Sequence, residues 1–254
     1  MPRPTGSLQA LLGNLIDYAG LYPPAALPLA IVTERYRGFR ASPEKWILGR
    51  LVLPAAKLAD MAPDSDWPVT LLVEDEPGPL PSQVQTLEIK QARRLTLPTY
   101  CEAPLDQIAD AWAKIRTGGL TPEAIPSAAD LASFLVDAAR RRLPFKATAG
   151  LHHPIRSVHA LTYAPDSPRA AMHGFLNVFA AAAFAWHGMD LGHVIELLEE
   201  TDAEALQFGD EDLIWNSHRV TTAQIAEART FAHSFGSCSF EEPVSELREL
   251  GLLP

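Results

Sequence analysis

Eight short apolar runs, separated by turns and helical patterns, set the strongest limit on how this chain can fold. Short apolar runs that alternate with amphipathic helical segments are typical of parallel β-α-β units. Eight such units can close into a barrel, and barrels of this kind commonly hold about 250 residues in one domain. The sequence therefore predicts an α/β fold, an irregular (β/α)8 (TIM) barrel that forms a single domain over residues 1–254. The predicted strands are Asn14–Tyr18, Trp46–Leu53, Val69–Val73, Thr86–Lys90, Leu97–Cys101, Ala113–Arg116, Pro144–Thr148 and Ala232–Ser239.

Helical patterns fill several of the intervals between these runs. Pro28 is expected to open a helix that ends near Arg40, because proline fits the first helical turn. Ser127, with Asp130 three residues later, resembles a capping box and predicts the start of another helix. The third to fifth runs lie so close together that the helices between them must be short or missing. Two further helices are predicted over Leu105–Trp112 and Pro243–Leu250.

The interval between the seventh and eighth runs is much longer than a simple crossover requires. It predicts a helical insertion at about residues 155–231. A nearly all-apolar helix is expected over Met172–Trp186 and an amphipathic one over Leu191–Leu206, and a third begins at Thr221 or Thr222. We expect this insertion to cover the barrel mouth or to form the interface of a homo-oligomer.

Composition narrows the functional classes. The formal net charge of −10 disfavours a nucleic-acid partner, because an acidic surface repels phosphates. Two cysteines do not make a disulfide framework and fit a reducing compartment. The first residues lack the layout of a signal peptide, and the most apolar stretch is too short to cross a bilayer. These observations predict a cytoplasmic protein with no membrane partner.

Three lysines lie within or at the end of apolar runs. In a barrel the chemistry sits at the carboxyl ends of the strands, and Lys90, Lys114 and Lys146 are placed there. Lysines that converge on one mouth should depress the pKa of at least one of them, and a neutral lysine can attack a carbonyl to form a Schiff base. The alternative is a structural network, in which the lysines are paired with carboxylates. The candidate partners are Glu74, Glu88 and Glu102.

The residues from Trp112 to Pro154, WAKIRTGGL…PFKATAGLHHP, resemble the corresponding part of deoxyribose-phosphate aldolase and related class I aldolases. That family has a strand ending K-T-S-T-G and a later strand ending F-K-x-x-G-G. Lys114, Thr117 and Gly118 match the first motif, and Lys146 and Gly150 follow the pattern of the second. The stretch SFGSCSF near the end of the chain loosely resembles the family's phosphate-binding F-G-A-S-S turn.

The resemblance implies that Lys114 forms the Schiff base and that the charge of Lys146 tunes it. It also implies an E-x-D strand whose aspartate relays protons, but Lys90 stands at that position here, two residues after Glu88. Proton transfer would then fall to Glu88, Glu74 or Glu102. The resemblance implies no cofactor and no metal.

Other side chains at the strand ends complete the candidate site. Arg116 and the turn Gly236, Ser237, Ser239 are candidates to hold an anionic group. His152 is a candidate acid or base, and a metal at His152 or His153 is a weaker possibility, since adjacent histidines in extended chain point opposite ways. No pattern of His or Asp marks Cys238 as a nucleophile.

His173 and Asn177 lie four residues apart on an otherwise apolar helix and therefore share one face. Two interpretations stay open for this pair. It forms either a polar strip lowered over the barrel mouth, where it would bind substrate, or a buried and satisfied pair within the insertion.

The sequence thus predicts a class I aldolase-like lyase that acts through a lysine Schiff base on a small anionic hydroxylated carbonyl compound. One alternative is a cofactor-free or metal-assisted isomerase or hydrolase of sugar-like compounds that uses the same groups as acids and bases. A second alternative is a non-catalytic binding protein built on the barrel.

Overall fold

The computed structural model describes residues 4–61, 66–91, 93 and 95–254. Eight parallel strands close into a barrel, in which each strand pairs with its neighbours in the chain and the last pairs with the first. The fold is therefore a (β/α)8 barrel, and each of the eight predicted runs overlaps one of its strands. These strands are β1 (Ile16–Tyr18), β2 (Leu48–Pro54), β3 (Val69–Leu72), β4 (Val84–Ile89), β5 (Thr99–Cys101), β6 (Trp112–Arg116), β7 (Phe145–Thr148) and, after five strands outside the barrel, β13 (Ala232–Ser237).

Seven α-helices accompany the barrel in the described part of the chain. They are α1 (Gly6–Leu12), α2 (Leu29–Ala41), α3 (Ala128–Arg140), α4 (Phe175–Trp186), α5 (Leu191–Glu199), α6 (Thr222–Ala228) and α7 (Glu241–Glu249). The start of α3 is confirmed, because the Ser127 hydroxyl accepts a hydrogen bond from the Asp130 amide at 3.1 Å. None of the described helices combines the length and apolar character needed to span a bilayer.

The helix predicted over Leu105–Trp112 is wrong. Only a single 3-10 turn forms there, Leu105–Gln107, and Trp112 is instead the first residue of β6, paired with Tyr100 on β5. Too few residues separate β5 from β6 to form a helix and still return to the foot of the barrel. The described residues between β3 and β4 and between β4 and β5 also contain no α-helix, as the short intervals predicted.

The segment between β7 and β13 mixes helices with short antiparallel strands. It contains a hairpin of β8 (Ser157–Ala160) and β9 (Arg169–Met172), and a three-stranded sheet of β10 (Leu206–Phe208), β11 (Asp212–Trp215) and β12 (His218–Thr221). Two predicted helix bounds are therefore wrong: Met172 belongs to β9, and α5 ends before Leu206, which begins β10.

The apolar helix α4 belongs to the outer layer of the barrel and does not cover its mouth. It packs against α3, α5 and β13, and its residues from Phe175 to Ala185 are all buried. A helix that is apolar on every side is stable only inside such a layer. The hairpin β8–β9 is the part of this segment that reaches the mouth, where Leu161 and Met172 line the cavity.

His233 on β13 predicts a pH dependence of stability. Its Nε2 lies 2.8 Å from the Thr230 carbonyl, which can only accept, so Nε2 carries the proton and Nδ1 accepts from the Tyr100 hydroxyl at 2.8 Å. Burial, with the nearby Arg229 and Arg50 charges, lowers the pKa of His233 to about 4. The neutral ring therefore stabilises the fold above about pH 6.5, and this contribution, about 2–3 kcal/mol, is lost as the pH falls toward 4.

Urea unfolding of the wild type and of His233→Gln at neutral and acidic pH measures this contribution. We expect the stability difference between the two proteins to shrink on acidification, because only the wild type must protonate a half-buried ring. A difference that does not change with pH would contradict the prediction.

Candidate active site

A cavity of about 440 Å³ opens at the carboxyl-terminal end of the barrel. In barrels of this kind the loops after the strands build the site at this end. The polar and charged side chains that line the cavity include Tyr22, Glu88, Lys114, Arg116, Lys146 and His152. Four of the six predicted catalytic residues line this cavity, and a fifth, Glu102, contacts Lys114.

Lys146 forms the buried centre of the site. Its Nζ lies 2.6 Å from Asp17 Oδ2 and 2.7 Å from Glu88 Oε1, and the three side chains are between 0 and 4% exposed. The Asp17 carboxylate also accepts hydrogen bonds from the Ser234 hydroxyl at 2.9 Å and the Arg50 amide at 2.8 Å. This network fixes the position of the Lys146 ammonium group.

The charges around Lys146 determine its protonation state. Burial alone would lower the pKa of Lys146, but the Asp17 and Glu88 carboxylates outweigh burial and raise the pKa above its usual value. Burial would likewise raise the pKa of Glu88, but Lys146 and Lys114 hold that pKa at about 2. Lys146 is therefore not a lysine with a depressed pKa, because Asp17, to which the sequence analysis gave no role, supplies a second negative charge beside Glu88.

Lys114 is the more accessible of the two lysines. Strands β6 and β7 pair in register so that Lys114 stands beside Lys146. The Lys114 Nζ lies 2.8 Å from Glu88 Oε2 and 3.4 Å from Glu102 Oε2, and 11% of its side chain is exposed. One carboxylate, Glu88, therefore contacts both lysines, and Glu102 links Lys114 to Arg116, whose Nε lies 3.1 Å from Glu102 Oε1.

Lys90 and Glu74 do not belong to the cavity lining. Strand β4 ends at Ile89, so the inward alternation that places Glu88 in the site does not continue to Lys90, which is exposed. Glu74 is also exposed, beyond the end of β3. The expectation that three lysines converge is wrong for this reason, and Glu74 has no contact with the Lys146 network.

His173 and Asn177 are buried and satisfied within the fold. The His173 Nε2 donates to the Pro126 carbonyl at 2.8 Å. The Asn177 amide donates to the carbonyls of Leu197 and Glu200, both at 2.9 Å, and so ties α4 to the end of α5. Of the two interpretations of this pair, the polar strip over the mouth is wrong.

The predicted glycines serve close packing of two loops. Gly118 follows β6 and Gly150 follows β7, and a Cβ on Gly118 would lie 2.8 Å from the Gly150 Cα. Gly150 has a φ of +78°, which also favours glycine. The Thr117 hydroxyl joins the same loops by donating to the Ala149 carbonyl at 2.5 Å. These residues shape the wall of the cavity, to which Gly150 contributes directly.

In the turn after β13, the serine hydroxyls accept hydrogen bonds from backbone amides that follow them in the chain. The Ser239 amide donates to the Ser237 hydroxyl at 3.3 Å, and the Glu242 amide donates to the Ser239 hydroxyl at 3.2 Å. Helix α7 then begins with Glu241, a negative charge that disfavours an anion at this helix terminus. Gly236 lines the cavity, whereas neither serine does.

His152 lies at the mouth with two partners that the sequence analysis did not assign. Its Nδ1 is 3.2 Å from Glu242 Oε2, and its Nε2 is 4.0 Å from the Cys238 Sγ. Burial would lower the pKa of His152, but Cys238 and Glu242 raise it to about 9. His153 does not line the cavity, and its Nδ1 lies 2.6 Å from Glu246 Oε1 on α7, the helix that also carries Glu242.

Tyr22, in the loop after β1, is a second site residue that sequence analysis missed. Its hydroxyl is buried and has no hydrogen-bond partner among the described residues, and the side chain lines the cavity. Burial and the nearby Glu88 charge raise the pKa of Tyr22, so the phenol is a neutral donor. The sequence signal was only an aromatic residue in the turn-rich AGLYPPAA segment, which does not distinguish a site residue from a core residue.

The described residues contain no group of three or more histidine, cysteine, aspartate or glutamate side chains arranged to hold a metal ion. Comparison of the chain with models of protein families, with curated proteins and with solved structures finds no significant match.

Proposed function

We propose that this chain is an aldolase-like lyase that forms a Schiff base between Lys114 and a small anionic hydroxylated carbonyl compound. The observation that carries the proposal is the shared carboxylate: Glu88 contacts the accessible Lys114 at 2.8 Å and the buried Lys146 at 2.7 Å. The arrangement gives the cavity one accessible amine, Lys114, and one buried amine, Lys146, whose raised pKa keeps it charged.

The electrostatics of the site suit the covalent intermediate. An ammonium group and a protonated imine carry the same positive charge, so the attraction of Lys114 to Glu88 and Glu102 would persist after the adduct forms, with one N–H left to donate to them. Before attack, Lys114 must transfer a proton, and the Glu88 and Glu102 carboxylates are within reach of it. Carbonyl addition then releases one water molecule as the C=N bond replaces the C=O bond.

The remaining groups have roles that follow from their charge. Lys146 keeps its proton and contributes a fixed positive charge, as its raised pKa requires. His152, protonated at neutral pH, is a general acid at the mouth, and the Tyr22 hydroxyl is a free donor for a substrate oxygen. Arg116, half exposed beside Glu102, is placed to hold an anionic group.

A non-covalent isomerase or hydrolase is the second candidate. The observation that favours it is the ion pairing of Lys114 with two carboxylates, since a lysine that stays charged acts as an electrophile or acid rather than a nucleophile.

A cytoplasmic location and a homo-oligomeric state stay predictions.

Borohydride reduction tests the covalent proposal. We would incubate the protein with pyruvate, glyoxylate, glycolaldehyde or glyceraldehyde 3-phosphate, reduce the mixture, and locate any adduct by peptide mass spectrometry. The expected result is a stable secondary amine on Lys114 in preference to the exposed lysines. Equal labelling of all exposed lysines, or no adduct with any compound, would favour the acid–base candidate.

A further inference from the structure

Cys238, His152 and Glu242 form a row of thiol, imidazole and carboxylate at the edge of the cavity. Cys238 and His152 are separated by 86 positions in the chain, yet the Cys238 Sγ lies 4.0 Å from His152 Nε2. The other ring nitrogen, Nδ1, lies 3.2 Å from Glu242 Oε2. Both Cys238 and His152 line the cavity, so a bound molecule can reach the thiol.

This order of groups is the one that activates cysteine nucleophiles. Because a carboxylate only accepts, the Glu242 contact places a proton on Nδ1 and turns Nε2 toward the sulfur. The His152 pKa of about 9 means that the ring can hold the thiol proton at neutral pH. An imidazolium beside sulfur stabilises the thiolate, which is the reactive form.

The other titratable groups around this row come from three elements. Tyr163, between β8 and β9, donates to Glu242 at 3.1 Å and lies 3.9 Å from the Cys238 Sγ. Tyr18 on β1 lies near the sulfur, and its hydroxyl has no hydrogen-bond partner among the described residues. His153 is bound to Glu246 on α7. Among these groups, His152 has the ring nitrogen that faces the sulfur, so at neutral pH the imidazolium of His152 holds the proton that leaves the thiol.

We propose that Cys238 is a nucleophile of this cavity, that His152 is its proton acceptor, and that the thiol adds to the carbonyl carbon of a small aldehyde. The sulfur electron pair forms the S–C bond, and the carbonyl π pair moves to the oxygen. The proton that His152 took from the thiol then passes to that oxygen, which gives a hemithioacetal. Glu242 is the positioning residue that orients the ring.

This site goes beyond the proposed lyase activity, because the thiol would react whether or not Lys114 forms an imine. It adds a second reactive centre to the same cavity, built from the turn after β13, the loop after β7 and α7.

Alkylation of the native protein by iodoacetamide tests the thiol, with Cys101 as the internal control. Cys101 is also buried, its Sγ donates to the Lys90 carbonyl at 3.7 Å, and burial raises its pKa. At about pH 6 we expect Cys238 to react at least about tenfold faster in the wild type than in His152→Asn, with little change up to about pH 8. In His152→Asn and Glu242→Gln the rate should instead rise steeply with pH.

Two further measurements complete the test. In Cys101→Ala protein, the thiolate absorbance in the ultraviolet reports the state of Cys238 without requiring access of a reagent. In Lys114→Met protein, glycolaldehyde should slow the alkylation of Cys238 by forming the hemithioacetal. Equal pH profiles for wild type and His152→Asn in both rate and absorbance would overturn the activation by His152. An alkylation rate that glycolaldehyde does not change would overturn the aldehyde as the substrate class.

Discussion

Replacing Lys146 by methionine is expected to lower the free energy of unfolding by about 3–5 kcal/mol, the cost of leaving a buried charge without its partner. The substitution keeps most of the side-chain volume, so a cavity contributes little. It removes the one cation that contacts both Asp17 and Glu88, whose side chains are 0 and 4% exposed. Asp17 would then keep only neutral donors, the Ser234 hydroxyl and the Arg50 amide.

Urea unfolding followed by circular dichroism measures this effect, and Lys57→Met is the matched control. Lys57 pairs with Asp60 at 3.3 Å, but both side chains are at least half exposed. An exposed pair contributes at most about 1 kcal/mol, so Lys57→Met should change stability little. A loss for Lys146→Met that is no larger than the loss for Lys57→Met would contradict the buried network.

A triple variant shows whether charge is the cause. Asp17→Asn and Glu88→Gln, added to Lys146→Met, remove the two carboxylates that the single variant leaves unpaired. We expect the triple variant to regain part of the lost stability, because uncharged side chains replace all three buried charges. Further destabilisation would show instead that the shape of the network matters more than its charge.

The barrel could be predicted from the sequence because its physical signal is local. A parallel strand is buried on both faces, so its sequence is a short apolar run. The order of the runs in the chain then predicts the order of the strands in the barrel. The capped start of α3 at Ser127 is equally local. The prediction of a helix over Leu105–Trp112 was wrong because a local pattern contains no information about the pairing of Trp112 with Tyr100 on β5.

The site was harder to predict because its key pairs are distant in the chain. Lys146 meets Asp17 across 129 positions, and Cys238 meets His152 across 86. The two lysines of β6 and β7 could be identified because charged residues are rare inside strands. Lys90 could not be distinguished from them, because its exclusion depends on β4 ending one residue earlier, at Ile89.

That exclusion makes Lys90 the control for the strongest prediction about the chemistry. Lys114→Met should reduce the borohydride-trapped adduct at least about 10³-fold, because no other described amine is both inside the cavity and accessible. Lys90→Met, which removes an exposed lysine just after β4, two strands away from β6 in the barrel, should leave the adduct unchanged. The readout is the rate of adduct formation by intact-mass spectrometry.

Stability separates a loss of chemistry from a loss of fold. In Lys114→Met, Glu88 keeps its contact with Lys146 at 2.7 Å and Glu102 keeps Arg116 at 3.1 Å, so no carboxylate is left without a cation. We therefore expect unfolding to change by only about 1–2 kcal/mol, the range for a hydrogen bond to a charged group. A folded Lys114→Met protein that still forms the adduct would move the nucleophile to another residue. If Lys114→Met is folded and forms no adduct, while Lys90→Met forms the adduct at the wild-type rate, then Lys114 is the amine that binds the carbonyl carbon.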